Sequence, residues 1–460
     1  MAVPESLFFA VCVFIAASPI FAPYISLPHD NFFSFPNETD VMEMMLSVLT
    51  GWSTWVSCAR FALLLLLAYK LLLILFTPLY VVKNMAETGY IQHTERPLSG
   101  EAWAGQVVRR RRRGDVPPVY PNGWFSVLHS RQLKKGDAKS VTVLGMQLAV
   151  FRGEDGQVYA LDAYCPHLGA NLGCGGRVLG NCLECPFHGW SFSGNDGKCV
   201  RIPYADKVPE FAKTEAHTVV EMNGSVYVWY HAEGIEPNWM PEEVVEISDE
   251  RWRCAGMTEH TINCHIEEIP ENIADIPHLN HLHAPIFLSG ANLSTFQTWK
   301  WAFAKHKWDA TWAPCDAPDK HCSLLHLKAS MTFLGRAIPF LRFDFQAKQI
   351  GPGIVHLPFV SPFGRGVIVQ GLTPIEPMVQ RVTHEIYIEN SVPTFIGKFL
   401  LWVESIQVER DITIWNNKTF RSKPLLARED HLIAKHRRWF SQFYSEHSPR
   451  FTTERLSLDW

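Results

Sequence analysis

Charge is scarce in this chain, and neither sign dominates. Only 19% of its 460 residues are Asp, Glu, Lys or Arg, and 42 basic side chains against 46 acidic ones leave a formal net charge of −4. With no basic excess to meet a phosphate backbone, nucleic acid is not expected as a partner. No internal repeat or low-complexity tract is visible, and neither a G-x-G-x-x-G loop nor a C-x4-C-x2-C spacing occurs, so no nucleotide-binding loop or plant-type ferredoxin is expected within the chain. Apolar residues, by contrast, make up 47%. That rules out wholesale disorder and, at this low charge, leaves apolar surface beyond what a soluble core absorbs. The length predicts two or three domains. The 20 histidines and 11 cysteines, in a chain too long to need disulfide staples, point first to metal ligation.

The apolar surplus has an obvious home. Phe61–Val82 carries a single charge, Lys70, and 22 residues at 1.5 Å per residue suffice to cross a hydrocarbon core of about 30 Å. Lys70 costs roughly 3 kcal/mol at the centre, which the surrounding leucines, each at about −0.3 to −0.6 kcal/mol, outweigh while its stem snorkels. An earlier apolar run within residues 7–27 fits either a signal-peptide core or a second, poorer membrane segment. Residues 30–52 hold Asp30, Glu38, Asp40 and Glu43 without Lys or Arg, whereas Lys83, Arg96 and five consecutive arginines from Arg109 to Arg113 follow the span. The positive-inside rule then places everything after Lys83 in the cytosol, and a membrane protein, on the endoplasmic reticulum, is expected. Residues 1–83 read as the anchor and 84–120 as a basic, proline-rich linker.

A domain of short antiparallel strands is expected over residues 121–236. Residues 141–164 alternate and turn at Glu154-Asp155-Gly156, and Val219 to Tyr230 splits around Asn223-Gly224, a strong hairpin signal. Residues 237–460 mix β-like stretches (352–373 and 381–390) with a helical run from about Phe395 to Trp415, and read as a separate α+β domain. The fold class is therefore α+β behind an N-terminal transmembrane helix.

Inside the β domain, Cys165-Pro166-His167 is followed seventeen residues later by Cys185-Pro186-Phe187-His188-Gly189-Trp190. Two short Cys/His loops of this kind suit a 2Fe-2S cluster with thiolates on one iron and imidazoles on the other. A Cys2His2 zinc site is the competing reading, weakened because no helix follows the hairpins. Downstream, Asp275, His278, His281 and His283 fall within nine residues, the donor set of a non-haem iron site that keeps open positions for oxygen and substrate.

The C-P-H/C-P-F-H-G-W pair resembles the Rieske motif. The resemblance implies Cys165 and Cys185 on one iron of a 2Fe-2S cluster and His167 and His188 on the other. Respiratory Rieske proteins carry a disulfide and two hydrogen-bond donors at positions where Ala170, Phe187, Trp190 and Phe192 stand here, which implies a lower-potential cluster of the kind that feeds oxygen chemistry. The D-x2-H-x4-H pattern of Rieske oxygenases maps a bridging carboxylate onto Asp275 and mononuclear iron ligands onto His278 and His283, with His281 the second choice. The third ligand is expected in Val408 to Trp415, which resembles the corresponding segment of steroid-oxidising relatives: Asp411, with Glu409 and Glu404 as fallbacks. The catalytic domain is then expected to hold a helix-grip-like antiparallel sheet.

The anchor, the phrase PPVYPNGWF (117–125), both motifs and the box from Glu271 to His278 together resemble the Neverland family of cholesterol 7-desaturases over essentially the whole cytosolic part. The resemblance implies a sterol substrate, mononuclear Fe(II), O2 as co-substrate, electrons from NAD(P)H through a separate reductase, and a head-to-tail homotrimer in which Asp275 couples the partner subunit's cluster to the iron. Rival readings are a Rieske hydroxylase of another hydrophobic ring compound, a non-catalytic membrane-bound electron carrier, and a desaturase of the multi-histidine-box type.

Overall fold

The computed structural model describes residues 38–89, 115–296, 303–361 and 363–451. The apolar run 7–27 and the arginines 109–113 lie outside them. The chain divides into two compact units between Leu71 and Leu72.

Helix α1 (Glu38–Phe76) contains all the described residues of the first unit. Its segment Thr54–Phe76, 23 residues of mean hydropathy 2.2, has none of its most apolar stretch buried against protein. It is a helix long and apolar enough to cross a membrane. It starts earlier than the expected span and stops at Phe76 rather than Val82. The cause is Pro78, whose ring and missing N–H end the helix, after which Leu79–Lys83 becomes strand β1. The last residues assigned above to the anchor thus belong to the catalytic sheet, where β1 pairs in parallel with a later strand.

In the second unit, eleven strands follow. They are β2 (Gly123–His129), β3 (Ala138–Val143), β4 (Met146–Arg152), β5 (Val158–Asp162), β6 (Arg177–Leu179), β7 (Cys182–Glu184), β8 (Ser191–Ser193), β9 (Cys199–Arg201), β10 (Ala216–His217), β11 (Val219–Met222) and β12 (Ser225–Tyr230). They form sheets β10-β5-β4-β3, β11-β12-β2 and β6-β7-β8-β9, all antiparallel. The expected hairpin is present: β11 and β12 join at Asn223 and Gly224, both at positive φ (50° and 77°), the twist a two-residue turn requires. Glycine is needed at 224 for a second reason, since a Cβ there would sit 2.1 Å from the Tyr387 hydroxyl.

An eight-stranded sheet then forms from β1 with β13 (Trp252–Ile262), β14 (Ala304–Pro314), β15 (Cys322–Phe333), β16 (Arg336–Ile350), β17 (Ile354–Ser361), β18 (Gly364–Glu376) and β19 (Val379–Glu389), in the order β1-β13-β19-β18-β17-β16-β15-β14. Apart from the β1–β13 pair it is antiparallel. Helix α2 (Ile276–His281) follows β13. Helix α3 (Thr394–Trp415) packs across β13 and β19 through Gly397, Leu401 and Ser405, and α4 (His431–Phe440) closes the chain.

The small β domain and the α+β domain pack closely on each other. Phe125, Val127, Val226 and Val228 share one core with Ile262, Leu372, Val382 and Ile412. Thr373 Oγ1 donates to the Ser126 carbonyl at 2.7 Å, and the buried Arg381 guanidinium donates to the Ser126 and Val127 carbonyls at 2.8 and 2.9 Å. Burying that guanidinium is tolerable only because those carbonyls receive it. The two sheet systems are one packed body.

Candidate metal centres

The first centre is built by two turns at the ends of short strands. Cys165 and Cys185 are buried; in each loop the amide of a glycine at positive φ, Gly169 or Gly189, donates back to the cysteine carbonyl at 2.9 or 3.1 Å. These closures reverse the chain in a few residues and leave the next side chains at the tip. There the His167 and His188 rings lie edge to face, 4.8 Å between centroids. Trp190 stacks on His167 at 4.7 Å, nearly parallel, and its Nε1 donates to the Tyr204 hydroxyl at 2.8 Å. Phe192 is wholly buried in the core beneath the loops. Burial pushes the Cys165 thiol up to about 11; the His167 amide opposes the rise and the neighbouring Cys185 adds to it. Two adjacent buried thiols with two imidazoles above them fit a 2Fe-2S cluster, whose binding would drive off the thiol protons. Phe187 is exposed and Ala170 offers no sulfur, so no bridge spans the loops.

The second centre draws on distant segments. His278, His283 and Asp411 each offer a ligand atom, all within 4.8 Å of one another. His278 lies in the short helix α2, started by Pro277 and capped by Asp275, whose carboxylate accepts from the His278 amide at 3.4 Å. The His278 ring Nδ1 bonds the Asp275 backbone carbonyl, while the Asp275 carboxylate stands 3.9 Å off. His283 Nδ1 donates to Gln407 Oε1 at 2.9 Å, which leaves Nε2, 3.2 Å from Asp411 Oδ1, as the free lone pair. Asp411 Oδ1 is buried without a hydrogen bond of good geometry. Two imidazoles and one carboxylate so disposed fit a mononuclear iron. Burial disfavours the charged form of both histidines. It prevails at His278, held low, but at His283 Asp411 and Gln407 outweigh it and the pKa is raised.

Of the alternatives, His281 is exposed on α2 and outside the group. Glu409 pairs with Lys83 and lies 3.7 Å from His260, and Glu404 Oε1 sits 3.2 Å from His384 Nε2. Three residues not anticipated above also belong here. Gln407 orients His283. The fully buried Arg410 ties α3 to the loop after His283, donating to the carbonyls of Leu282, Pro285, Ile286 and Gly290 at 3.0–3.2 Å and to Ser289 Oγ at 3.0 Å. His306 packs nearby with a buried, unpartnered Nε2, and burial lowers it to about 4. For Arg410 the one available signal was its place directly before Asp411.

Comparison with known proteins places both centres in a class. Residues 123–212 match the Rieske [2Fe-2S] domain, and residues 228–444 match the 3-ketosteroid 9alpha-hydroxylase C-terminal domain. A solved dicamba monooxygenase bound to 3,6-dichlorosalicylic acid shares the fold at a TM-score of 0.54, 18% identity, over 71% of this chain and 98% of its own. The protein is a Rieske-type oxygenase with a non-haem iron site. At higher similarity stand a Xenopus laevis protein named cholesterol 7-desaturase, 52% identical over 83% of this chain and 84% of its own length, and a Caenorhabditis elegans protein of the same name, 46% identical over 74% and 80%. The chain belongs to the cholesterol 7-desaturase family.

Proposed function

We propose that this chain 7,8-dehydrogenates cholesterol to 7-dehydrocholesterol. The observation that carries the reading is the meeting of His278, His283 and Asp411 in a chain that also holds a Rieske domain, because a simple electron carrier has no use for a second, oxygen-accessible donor set. Cys165, Cys185, His167 and His188 would hold the cluster, and His278, His283 and Asp411 the iron. When bound, the cluster supplies single electrons and the iron supplies oxygen activation for removing hydrogen at C7 and C8. Overall, cholesterol loses two hydrogens and O2 is reduced to two waters by two electrons and two protons, drawn from NAD(P)H through a separate reductase.

The chain's own residues set the conditions. Gln407 fixes the His283 tautomer, Arg410 locks the loop after His283 onto the helix that carries Asp411, and burial of His283 keeps bulk water from its ring. In this reading α1 anchors the protein in the endoplasmic reticulum membrane, residues 84–120 link it to the cytosolic part, residues 121–236 carry the cluster and 237–460 the iron. A sterol dissolved in lipid gives that tether a purpose. The chain works as a head-to-tail trimer, in which Asp275, its carboxylate about a third exposed at the start of α2, meets the partner subunit's His188.

Incubating microsomes that contain the protein with labelled cholesterol and NADPH tests the reading: 7-dehydrocholesterol is the expected product. A hydroxylated sterol instead would favour the second reading, a steroid hydroxylase, which the match to the ketosteroid hydroxylase domain supports.

A further inference from the structure

Helix α3 is apolar on two faces, and only one is covered by protein. Gly397, Leu401, Ser405 and Ile412 face the sheet, whereas Phe395, Phe399 and Trp402 recur at the same helical period on the opposite side and are 42%, 47% and 45% exposed. Between Phe395 and Trp402 the one charged residue is Lys398, at the border of that stripe. Phe287, from the loop after His283, packs edge-on against Phe399 and Trp402 at 5.6 and 5.7 Å, and its neighbour Leu288 is 52% exposed. The result is a contiguous aromatic patch of a kind that soluble surfaces rarely show without a partner. A second observation indicates what covers it. Lys398, one residue before Phe399, donates its ammonium to the carbonyl of Ile74, in the last turn of the apolar helix α1. The patch therefore lies beside the point where the membrane-spanning segment ends at Phe76. That is the level at which aromatic side chains partition into the boundary between headgroups and acyl chains and lysines snorkel.

We infer that the face formed by Phe287, Leu288, Phe395, Phe399 and Trp402 is a lipid-docking surface, seated in the bilayer that α1 crosses, which turns the iron site toward the membrane to receive sterol from it. The inference rests on the anchored, sterol-oxidising reading above. It gains from economy of parts: Phe287 shares its loop with the stretch that Arg410 fastens, and Phe399 and Trp402 share their helix with Gln407 and Asp411. The two elements that hold the donor set are thus the two that reach lipid.

Photocrosslinking of the full chain in phosphatidylcholine nanodiscs tests the docking directly. A benzoylphenylalanine side chain is placed at Phe399, at Trp402 or, as a control, at the fully exposed Leu425, and the cluster's visible spectrum verifies folding. Lipid adducts are expected at the first two positions and not at the third. Crosslinks between protein chains at Phe399 or Trp402 would show a subunit interface instead, and absence of lipid adducts at both positions would equally overturn the proposal. In a second measurement, combining Phe399→Ser with Trp402→Ser should lower the ratio of turnover on bilayer cholesterol to turnover on detergent-dispersed cholesterol about tenfold, the scale of one lost aromatic burial. An unchanged ratio would refute the docking role. If no cholesterol product forms under any condition, the substrate reading fails, while lipid adducts would still establish the surface.

Discussion

The two metal centres are assembled in opposite ways. The first is contained in two nearby loops, one between β5 and β6 and one between β7 and β8, so that each cysteine and its histidine are fixed by a single tight turn. The second depends on tertiary structure: His283 and its orienting partner Gln407 are 124 residues apart, and only the packing of α3 against β13 and β19 brings them together. A local centre can survive damage elsewhere, whereas a dispersed one inherits every weakness of the contacts that gather it. The sharpest way to test that contrast is to remove one ligand from each. Cys185→Ser should abolish the cluster's visible and reduced EPR signatures and all turnover while mononuclear iron still binds. Asp411→Ala should abolish turnover and most mononuclear iron while the cluster spectrum stays intact, because two imidazoles alone bind iron(II) weakly. Metal analysis with EPR on both variants checks this, and loss of both metals from either variant would show that the centres are not independent.

The contrast also sets what the sequence could reveal. The candidate cluster ligands are legible in the sequence because two short Cys/His loops carry them. For the iron, Asp275, His278 and His283 formed a compact pattern, but Asp411 had to be chosen among three acids on one helix. Helix phase separates them: Glu409 lies two positions from Asp411 and so points to another side, toward Lys83 and His260, while Glu404 shares the face but sits about 10 Å back along the axis, beside His384. Arg410 could not be assigned in advance, since its acceptors are backbone carbonyls set by a loop with no sequence signature. Nor could the fusion of the two sheet systems, which depends on Arg381 finding carbonyls on β2. The end of α1 was misplaced because an apolar run looks the same as a helix or as a buried strand; Pro78 was the signal to weigh.

If the two centres cooperate across subunits, their separateness becomes an asset. Co-expression of a Cys185→Ser chain with a His278→Ala chain, each inactive alone, should restore a measurable fraction of wild-type turnover, because some mixed rings set an intact cluster beside an intact iron. Verified mixed oligomers with no activity above either parent would require electron transfer within one chain.

The residues that gather the dispersed centre should show a graded response. Arg410→Met leaves several buried carbonyls without a donor and frees the loop from α3, with an expected loss of about 3 kcal/mol in stability and weaker iron binding, the cluster spectrum again unaffected. Denaturant unfolding and iron titration measure both. Gln407→Leu removes the bond that orients His283 and one of the several bonds Arg410 donates, and an about 10- to 100-fold loss in iron affinity is expected without loss of fold.

The smallest effect is expected at Glu404, and it distinguishes an acid near the centre from an acid in it. Burial, and after it the Asp411 carboxylate, raises the Glu404 carboxyl from 4.5 to about 8, and burial, with His260 adding, lowers its partner His384 to about 3. At neutral pH the pair is a protonated acid hydrogen-bonded to a neutral imidazole, an arrangement that glutamine reproduces closely. Glu404→Gln should therefore retain iron and most activity, where Asp411→Ala loses both. The iron-free protein offers a second readout. Because the folded form keeps a proton on Glu404 that the unfolded form releases, this group costs stability as pH rises from about 4.5 and the cost is complete once pH passes about 8. The lowered His384, common to both proteins, gives the opposite slope below pH 6.5, so the readout is the difference: the thermal midpoint of Glu404→Gln should gain on that of the iron-free wild type as pH rises across that window. Identical slopes would mean that Glu404 titrates like a surface acid, and loss of iron from Glu404→Gln would move it into the ligand set.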